Sequence, residues 1–370
     1  MKYYLIAGEA SGDLQAAYLI KELALADNNA EFRCFGGDLM QQQGATVVKH
    51  YKELAFMGFE DVIMNIRTIF KNITFCKEDI KKYNPDVLIL IDYPGFNLKI
   101  AKWAKKNNIK IYYYISPKIW AWNEKRGYKI KKIVDKMFVI LPFEKDFYAK
   151  FDYEVDFVGH PLLDCINDRP QISFENFCKE HNLNNKPIIA LLPGSRKQEI
   201  SAMLSIMLTV VDKFPNYQFV IAGAPSQKLS FYKQFIKTDI SIIENQTYDL
   251  LQHATSALVV SGTATLETAI FKVPQVVCYK TSKIFYQLAK MVIQVKYISL
   301  VNLIMNKESV KELIQSKLNA FNLINELTKI TTRDSRKIML NDYEELHQKL
   351  GGIGASKRAA ELIIGYLRNE

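Results

Sequence analysis

Asp92 stands directly after the apolar run Val87–Ile91 and before Tyr93-Pro94-Gly95-Phe96-Asn97. A carboxylate in that position can take a proton from a bound hydroxyl, or it can cap its own loop. Gly8-Glu9-Ala10-Ser11-Gly12-Asp13 follows the apolar start of the chain in the same way. Glycines between a strand and a helix let a ligand approach free backbone amides. A tight turn with Ser11 or Asp13 as helix cap uses the same residue types. The segment is neither GxGxxG nor a Walker loop, which counts against dinucleotide and P-loop chemistry. Ser116–Trp122, with Arg126 beyond it, sets two of the three tryptophans and an arginine after a further apolar run. Trp120, Trp122 and Arg126 there suit a sugar or acyl pocket, and a structural Trp pair equally well. His160, in Gly159-His160-Pro161, has no serine or cysteine nucleophile motif beside it and reads as a hinge residue.

Two further loops favour phosphate. Gly194-Ser195-Arg196 ends the run before it, with Glu199 following as a helix begins. A guanidinium beside exposed turn amides matches phosphate oxygens, because planar donors pair with them bidentately. Ser261-Gly262-Thr263-Ala264-Thr265 opens another helix, whose positive end suits a diphosphate. Glu267, one turn in, is out of place beside an anion unless it bonds something neutral, such as a ribose diol. No carboxylate pair with metal-ligand spacing lies nearby, so arginine and helix dipole would stabilise a leaving diphosphate without a metal.

A stripe of a different kind runs through Phe59, Val62, Ile63, Ile66, Ile69, Phe70 and Ile73 at helical spacing, with Asn65, Arg67, Lys71 and Asn72 on the remaining surface. Such a helix either packs on its own sheet or lies in a membrane interface.

The elements that must position these residues are apolar strands alternating with helices. Strands are expected near 2–7, 87–92, 109–116, 136–141, 187–192, 217–222, 256–260 and 274–279, with helices at Ser173–Asn182 and Ser356–Leu367. Continuous apolar strands between helices mean parallel sheets covered on both faces. The polar stretch Gly159–Pro170 separates two such series. The expected fold is α/β, two Rossmann-like doubly wound domains with an interdomain cleft, and ligands at the carboxyl ends of the strands. Beyond Lys307 the chain reads as mainly helical, and no internal repeat is apparent.

The 370 residues suit two domains, and 49% hydrophobic with 24% charged residues is a globular composition. Five cysteines without a CxxC pair count against a zinc site or a disulfide framework and fit a reducing compartment. Glu9 and Asp13 interrupt the first apolar run, so neither a signal peptide nor a membrane-spanning segment is expected. Forty-nine basic against 39 acidic residues leave a net charge of +10, which suits an anionic partner. Nucleic acid is disfavoured, since no arginine-rich stripe, zinc-finger pattern or RNP motif is present.

Taken in order, GEASGD (8–13), ELAFMG (53–58), IDYPGFN (91–97), SPKIWAW (116–122) with Arg126, LPFE (141–144), VGHPLLD (158–164), LLPGSR (191–196), SGTATLE (261–267) and SLVN (299–302) resemble the bacterial lipid-A-disaccharide synthases. That family comprises inverting glycosyltransferases of GT-B type. Gln15 stands where the family often has histidine, and Gly95 where many members have a second aspartate. The resemblance implies UDP-2,3-diacylglucosamine as donor, 2,3-diacylglucosamine 1-phosphate (lipid X) as acceptor, a β(1→6) linkage, UDP as leaving group, and no cofactor or metal. It implies Asp92 as general base, and Gly194, Ser195, Arg196, Ser261–Thr265, Glu267 and Asn302 as UDP contacts. Glu9, Ser11, Gly12, Asp13, Trp120, Trp122 and Arg126 would face the acceptor. An acceptor domain at 1–165, joined by helices from about 340 to 370, would accompany a UDP-sugar domain at 166–340. A single displacement needs one base and no covalent carboxylate. Acylated substrates place the protein on the cytoplasmic face of the inner membrane of a Gram-negative bacterium, with Phe59–Ile73 as membrane or acyl contact; a homodimer stays open. The competing reading is a UDP-sugar epimerase, or another GT-B glycosyltransferase, on the same plan.

Overall fold

A computed structural model describes the chain except residues 55–65, 237–239, 283–285, 288–290, 292–294 and 370. By internal contacts it divides into two compact units, Met1–Asp168 with Leu350–Glu370, and Arg169–Lys349.

The first unit is built on β1 (Lys2–Ala7), β2 (Glu31–Gly36), β3 (Thr46–His50), β4 (Val87–Ile91), β5 (Ile111–Tyr114), β6 (Lys136–Val139) and β7 (Asp156–Phe157). They form one parallel sheet in the order β3-β2-β1-β4-β5-β6-β7. The second unit holds β8 (Ile188–Leu192), β9 (Gln218–Gly223), β10 (Ser241–Glu244), β11 (Ala254–Val260), β12 (Gln275–Tyr279) and β13 (Lys311–Ile314), also parallel, in the order β10-β9-β8-β11-β12-β13. The two sheets repeat one winding although no sequence repeat announces it. In each, the order reverses beside the first strand, between β1 and β4 and between β8 and β11.

Every residue of β4, β5 and β8 is buried, which is why these runs carry no polar alternation. Strands β2, β3 and β10 lack a long apolar run: Arg33 and Lys49 interrupt the first two, and β10 has only Ile242 and Ile243. Beyond Lys307 the chain is mainly helical, as expected, with the short β13 as its one strand among the described residues.

The expected boundary near 340 lies at Leu350 instead. Helix Arg333–Lys349 stays with the second unit because Tyr343 is buried there, its hydroxyl accepting from Gln275 Nε2 at 3.2 Å and donating to the Val273 carbonyl at 3.3 Å. The last helix, Ala355–Asn369, returns to the first unit and packs along helix Ala10–Ala26. Asp164 caps it, accepting from the amides of Gly354 at 2.5 Å, Ala355 at 3.3 Å and Ser356 at 2.9 Å. His160 donates its amide to Leu350 O at 2.9 Å, so the VGHPLLD motif is what receives the returning chain. All five cysteines are buried, and none of them forms a disulfide.

Candidate functional site

The two reversal points carry the loops that the sequence singled out. At the first, Gly8–Asp13 follows β1 and Asp92 follows β4. Asp92 and Tyr93 both hold left-handed backbone, φ 41° and 45°, a strain of about 1–3 kcal/mol each that persists only where neighbours enforce it. Those neighbours are Asn97, whose Nδ2 donates to the carbonyls of Asp92 at 2.8 Å and Ile91 at 3.2 Å, and Tyr113, whose hydroxyl also donates to the Asp92 carbonyl. Tyr93 donates its own hydroxyl to Leu54 O at 2.9 Å, and Pro94 then opens the following helix. Burial raises the Asp92 carboxyl above its ordinary range, opposed by the charge of Lys118 and by an amide bond at Tyr93. A base of raised pKa holds an abstracted proton better.

Around it, sequence expectation and geometry partly separate. Glu9 and the exposed Ser11 begin helix Ala10–Ala26, where its free amides lie. Asp13, expected to face an acceptor, is buried and accepts from Gly37 N at 2.7 Å, Met40 N at 3.2 Å and Leu39 N at 3.2 Å. It caps helix Asp38–Gln42 and contacts no open surface. Gly12 is buried against Ala7. Trp120 is likewise buried, its indole N–H donating to Glu144 Oε1 at 3.2 Å and its ring edge-on to Phe143 at 4.9 Å, so it is a support and not a pocket wall. Trp122 stays exposed with Arg126 at 4.4 Å over its ring. Glu144 also accepts from Leu141 N at 3.0 Å, and burial pushes its carboxyl up to about 7. His160 is buried, accepts at Nδ1 from Leu162 N at 3.2 Å, and is pushed down to about 3 by burial and by Lys118.

At the second reversal point, Gly194 (φ 104°) turns the chain so tightly that a Cβ would lie 2.8 Å from Glu199 Oε2. Arg196 begins helix Lys197–Met207, its amide donating to Glu199 Oε2 at 3.4 Å and its guanidinium, 67% exposed, 3.7 Å from the same carboxylate. The Ser195 carbonyl accepts from Ser226 Oγ at 2.9 Å and Gln227 Nε2 at 3.1 Å, so the loop after β9 supports the loop after β8. Across from it, Gly262 and Thr263 are exposed and Ala264 is half-buried at the start of helix Thr263–Ile270. The side chains of three expected UDP contacts bond within the fold. Ser261 Oγ donates to Ile298 O at 2.8 Å and Thr265 Oγ1 to Gly262 O at 2.8 Å. Asn302 is fully buried, exchanging bonds with Val310 N and O at 2.9 and 2.8 Å and donating to Glu312 Oε1 at 2.9 Å. Glu312 accepts Ser299 N at 2.9 Å as well, which ties the SLVN turn to the Ser261 loop through Ile298. Burial raises the Glu267 carboxyl, against a 3.1 Å bond from the Tyr248 hydroxyl.

Of the amphipathic stripe, Phe59, Val62, Ile63 and the side chain of Ile66 lie outside the described residues. The described helix runs Ile66–Tyr83. Phe70 is exposed and Ile69 half-buried, whereas Ile73 is buried on the same face as Cys76 and Ile80 and is a core residue, not a membrane contact. Asn72, expected on the solvent side, is buried too, with Nδ2 donating to Glu53 O at 3.3 Å.

The supporting residues Tyr113, Glu312 and Tyr248 were invisible to sequence reasoning because each looked like ordinary core or surface. Ser226 and Gln227 had a usable signal: they too follow an apolar run.

Paired parallel sheets, each with its loops gathered where the strand order reverses, define the GT-B type of α/β protein. Solved structures of this fold include the UDP-GlcNAc 2-epimerase of Neisseria meningitidis bound to UDP-GlcNAc (14% identity, TM-score 0.64, 100% of each chain) and the calicheamicin glycosyltransferase (14% identity, TM-score 0.61, 99% of this chain and 98% of that one). The family model for lipid-A-disaccharide synthetase matches residues 3–364. The lipid-A-disaccharide synthase of Coxiella burnetii is 36% identical over 365 residues, covering 97% of this chain and 96% of the relative. That of Syntrophus aciditrophicus is 37% identical over 374 residues, covering 98% and 97%. The chain belongs to the lipid-A-disaccharide synthase family and is a glycosyltransferase; the epimerase alternative is not favoured.

Proposed function

We propose that the chain transfers 2,3-diacylglucosamine from UDP-2,3-diacylglucosamine to the 6-hydroxyl of lipid X, with inversion and without a metal, releasing UDP. The observation that carries this reading is Asp92 at a strand-order reversal, its carboxyl raised in pKa and its backbone carbonyl accepting from Asn97 and Tyr113. As the acceptor O6 attacks the donor anomeric carbon, its proton passes to the Asp92 carboxylate. The bond from that carbon to the diphosphate breaks, and its electron pair leaves with UDP. Arg196 and the turn amides of Gly194–Ser195 and Gly262–Ala264 offset the growing negative charge. Glu267, kept from ionising easily, suits a ribose hydroxyl better than a phosphate.

Both substrates carry acyl chains, and among the described residues no helix is long and apolar enough to cross a membrane. The acyl chains of both substrates support a peripheral place for the protein, at the cytoplasmic face of the inner membrane. The test is UDP release by the purified chain from UDP-2,3-diacylglucosamine with and without lipid X, in EDTA. Release that needs lipid X and survives EDTA supports the reading. Release that is indifferent to lipid X, or abolished by EDTA, refutes it.

A further inference from the structure

Helices Pro94–Lys106 and Gly127–Ile133 follow the neighbouring strands β4 and β5 and pack side by side. Between them lies a groove of about 480 Å³, within the range of roughly 300–1,000 Å³ that small-ligand sites occupy. Leu98, Ile130 and Ile133 give it an apolar floor. Lys102, Arg126, Lys129 and Lys132 form its rim, and among the described residues no carboxylate lines it. Lys105, one helical turn from Ala101, is neutralised by Asp135; Lys102, Lys129 and Lys132 are exposed and have no ion-pair partner among the described residues. Trp122, 44% exposed, carries the rim residue Arg126 over its ring at 4.4 Å, and Tyr128, next to Lys129 in the chain, is 58% exposed with its ring edge-on to Phe151. On the far side of the first helix Lys99 lies 5.4 Å over the exposed Phe70 ring, so the same character continues onto helix Ile66–Tyr83.

A basic surface alone fits any polyanion, and an apolar floor alone fits a protein helix. The two together, with exposed Tyr and Trp beside them, fit a molecule that is anionic at one end and hydrocarbon at the other. We propose that this groove docks an anionic membrane lipid, with its phosphate among Lys102, Lys129 and Lys132 and an acyl chain along Leu98, Ile130 and Ile133. The proposal rests on the reading that the enzyme works at a lipid surface, and it names the part of the first unit that meets that surface. Leu98 begins the second turn of helix Pro94–Lys106, whose N-cap, Tyr93, follows Asp92 directly. A lipid held there keeps the bilayer beside the base, and lipid-borne substrates need not leave the surface to reach it.

The full chain is sedimented with vesicles of phosphatidylcholine alone and of phosphatidylcholine with phosphatidylglycerol. Each lysine near an anionic surface is worth about fivefold in binding, so the wild type favours the anionic vesicles, and Lys129→Glu/Lys132→Glu lowers that binding by at least about tenfold. Ile133→Ser gives a smaller loss that salt does not mimic. UDP release in detergent-dispersed substrate stays at the wild-type rate. Lys102→Glu, on the other helix, reads the same loss should the double variant fold poorly. Anionic-vesicle binding equal to wild type in both variants overturns the proposal. So does a raised KM for lipid X in detergent with vesicle binding unchanged, which makes the groove an acceptor subsite. Wild-type protein that binds anionic vesicles but releases no UDP refutes the catalytic reading and leaves the groove standing.

Discussion

Gly8, at the end of β1, lies directly beneath the ring of Tyr93, the residue that follows Asp92 at the end of β4: a Cβ added to Gly8 would run into three atoms of that ring. The two loops at the reversal point therefore share one close contact, and the backbone of the base depends on it. Gly8→Ala must push the Tyr93 ring aside and with it the left-handed pair Asp92–Tyr93. Misplacement of about 1 Å costs on the order of 10²-fold in rate, so turnover should fall by about that factor while circular dichroism stays native. Tyr93→Ala on the Gly8→Ala background removes the collision, and the double variant should be more active than Gly8→Ala alone. Additive losses would show that the contact does not position Asp92.

Asp92→Asn should lower turnover by roughly 10²–10⁴-fold, the usual range for a general base, with UDP affinity retained. The same substitution should stabilise the fold. The folded carboxyl titrates above its unfolded value, so its favourable contribution is complete below the unfolded pKa and is lost as pH rises through the folded one. At neutral pH the folded state holds a partly desolvated charge that asparagine lacks. Urea midpoints at pH 7 should therefore be higher for Asp92→Asn, and the difference should vanish near pH 3. A variant that is inactive and less stable at pH 7 would mark Asp92 as structural.

The central strands and the loops after them were legible because a parallel sheet buries both faces and places ligands at its carboxyl ends. Asp92, Arg196 and Thr263 could thus be placed from sequence. Asn302, Ser261, Thr265, Asp13 and Trp120 spend side-chain hydrogen bonds on their own loops and supports. Each is a polar or amphipathic residue beside a ligand loop, and sequence cannot tell a side chain that meets a ligand from one that spends its hydrogen bonds holding the loop. Buried partners decide between them: Val310 and Glu312 for Asn302, Gly37 and Met40 for Asp13, Glu144 for Trp120. The amphipathic stripe is ambiguous for a related reason. A half-buried helix on a sheet shows the same period as one on a membrane, and only the burial of Ile73 and Asn72 beside an exposed Phe70 separates the faces.

Arg196→Ala should weaken UDP by about 1.5 kcal/mol, close to tenfold, at the lower end for a charge-assisted bond because the guanidinium is largely exposed. Isothermal titration with UDP measures it; an unchanged Kd would remove Arg196 from the diphosphate site. Glu199→Gln keeps a side-chain acceptor for the Arg196 amide but removes the charge beside its guanidinium. It should bind UDP at least as tightly as wild type, whereas a pure loss of loop order would weaken it.

Glu144 makes a pH signature that needs no substrate. Its carboxyl titrates at about 7 in the fold against 4.5 for an ordinary glutamate. Between those values the unfolded chain releases a proton that the folded chain retains, so stability falls as pH rises from about 4.5 to 7, by roughly 3 kcal/mol in total from this group. Glu144→Gln keeps an acceptor for the Trp120 indole and has no proton to lose. Chemical unfolding at pH 4.5 and 7.5 should show wild type losing about that much more stability than Glu144→Gln across the interval. Parallel pH profiles would mean that Glu144 is charged in the fold throughout, held by the Ile140 and Leu141 amides against the penalty of burial.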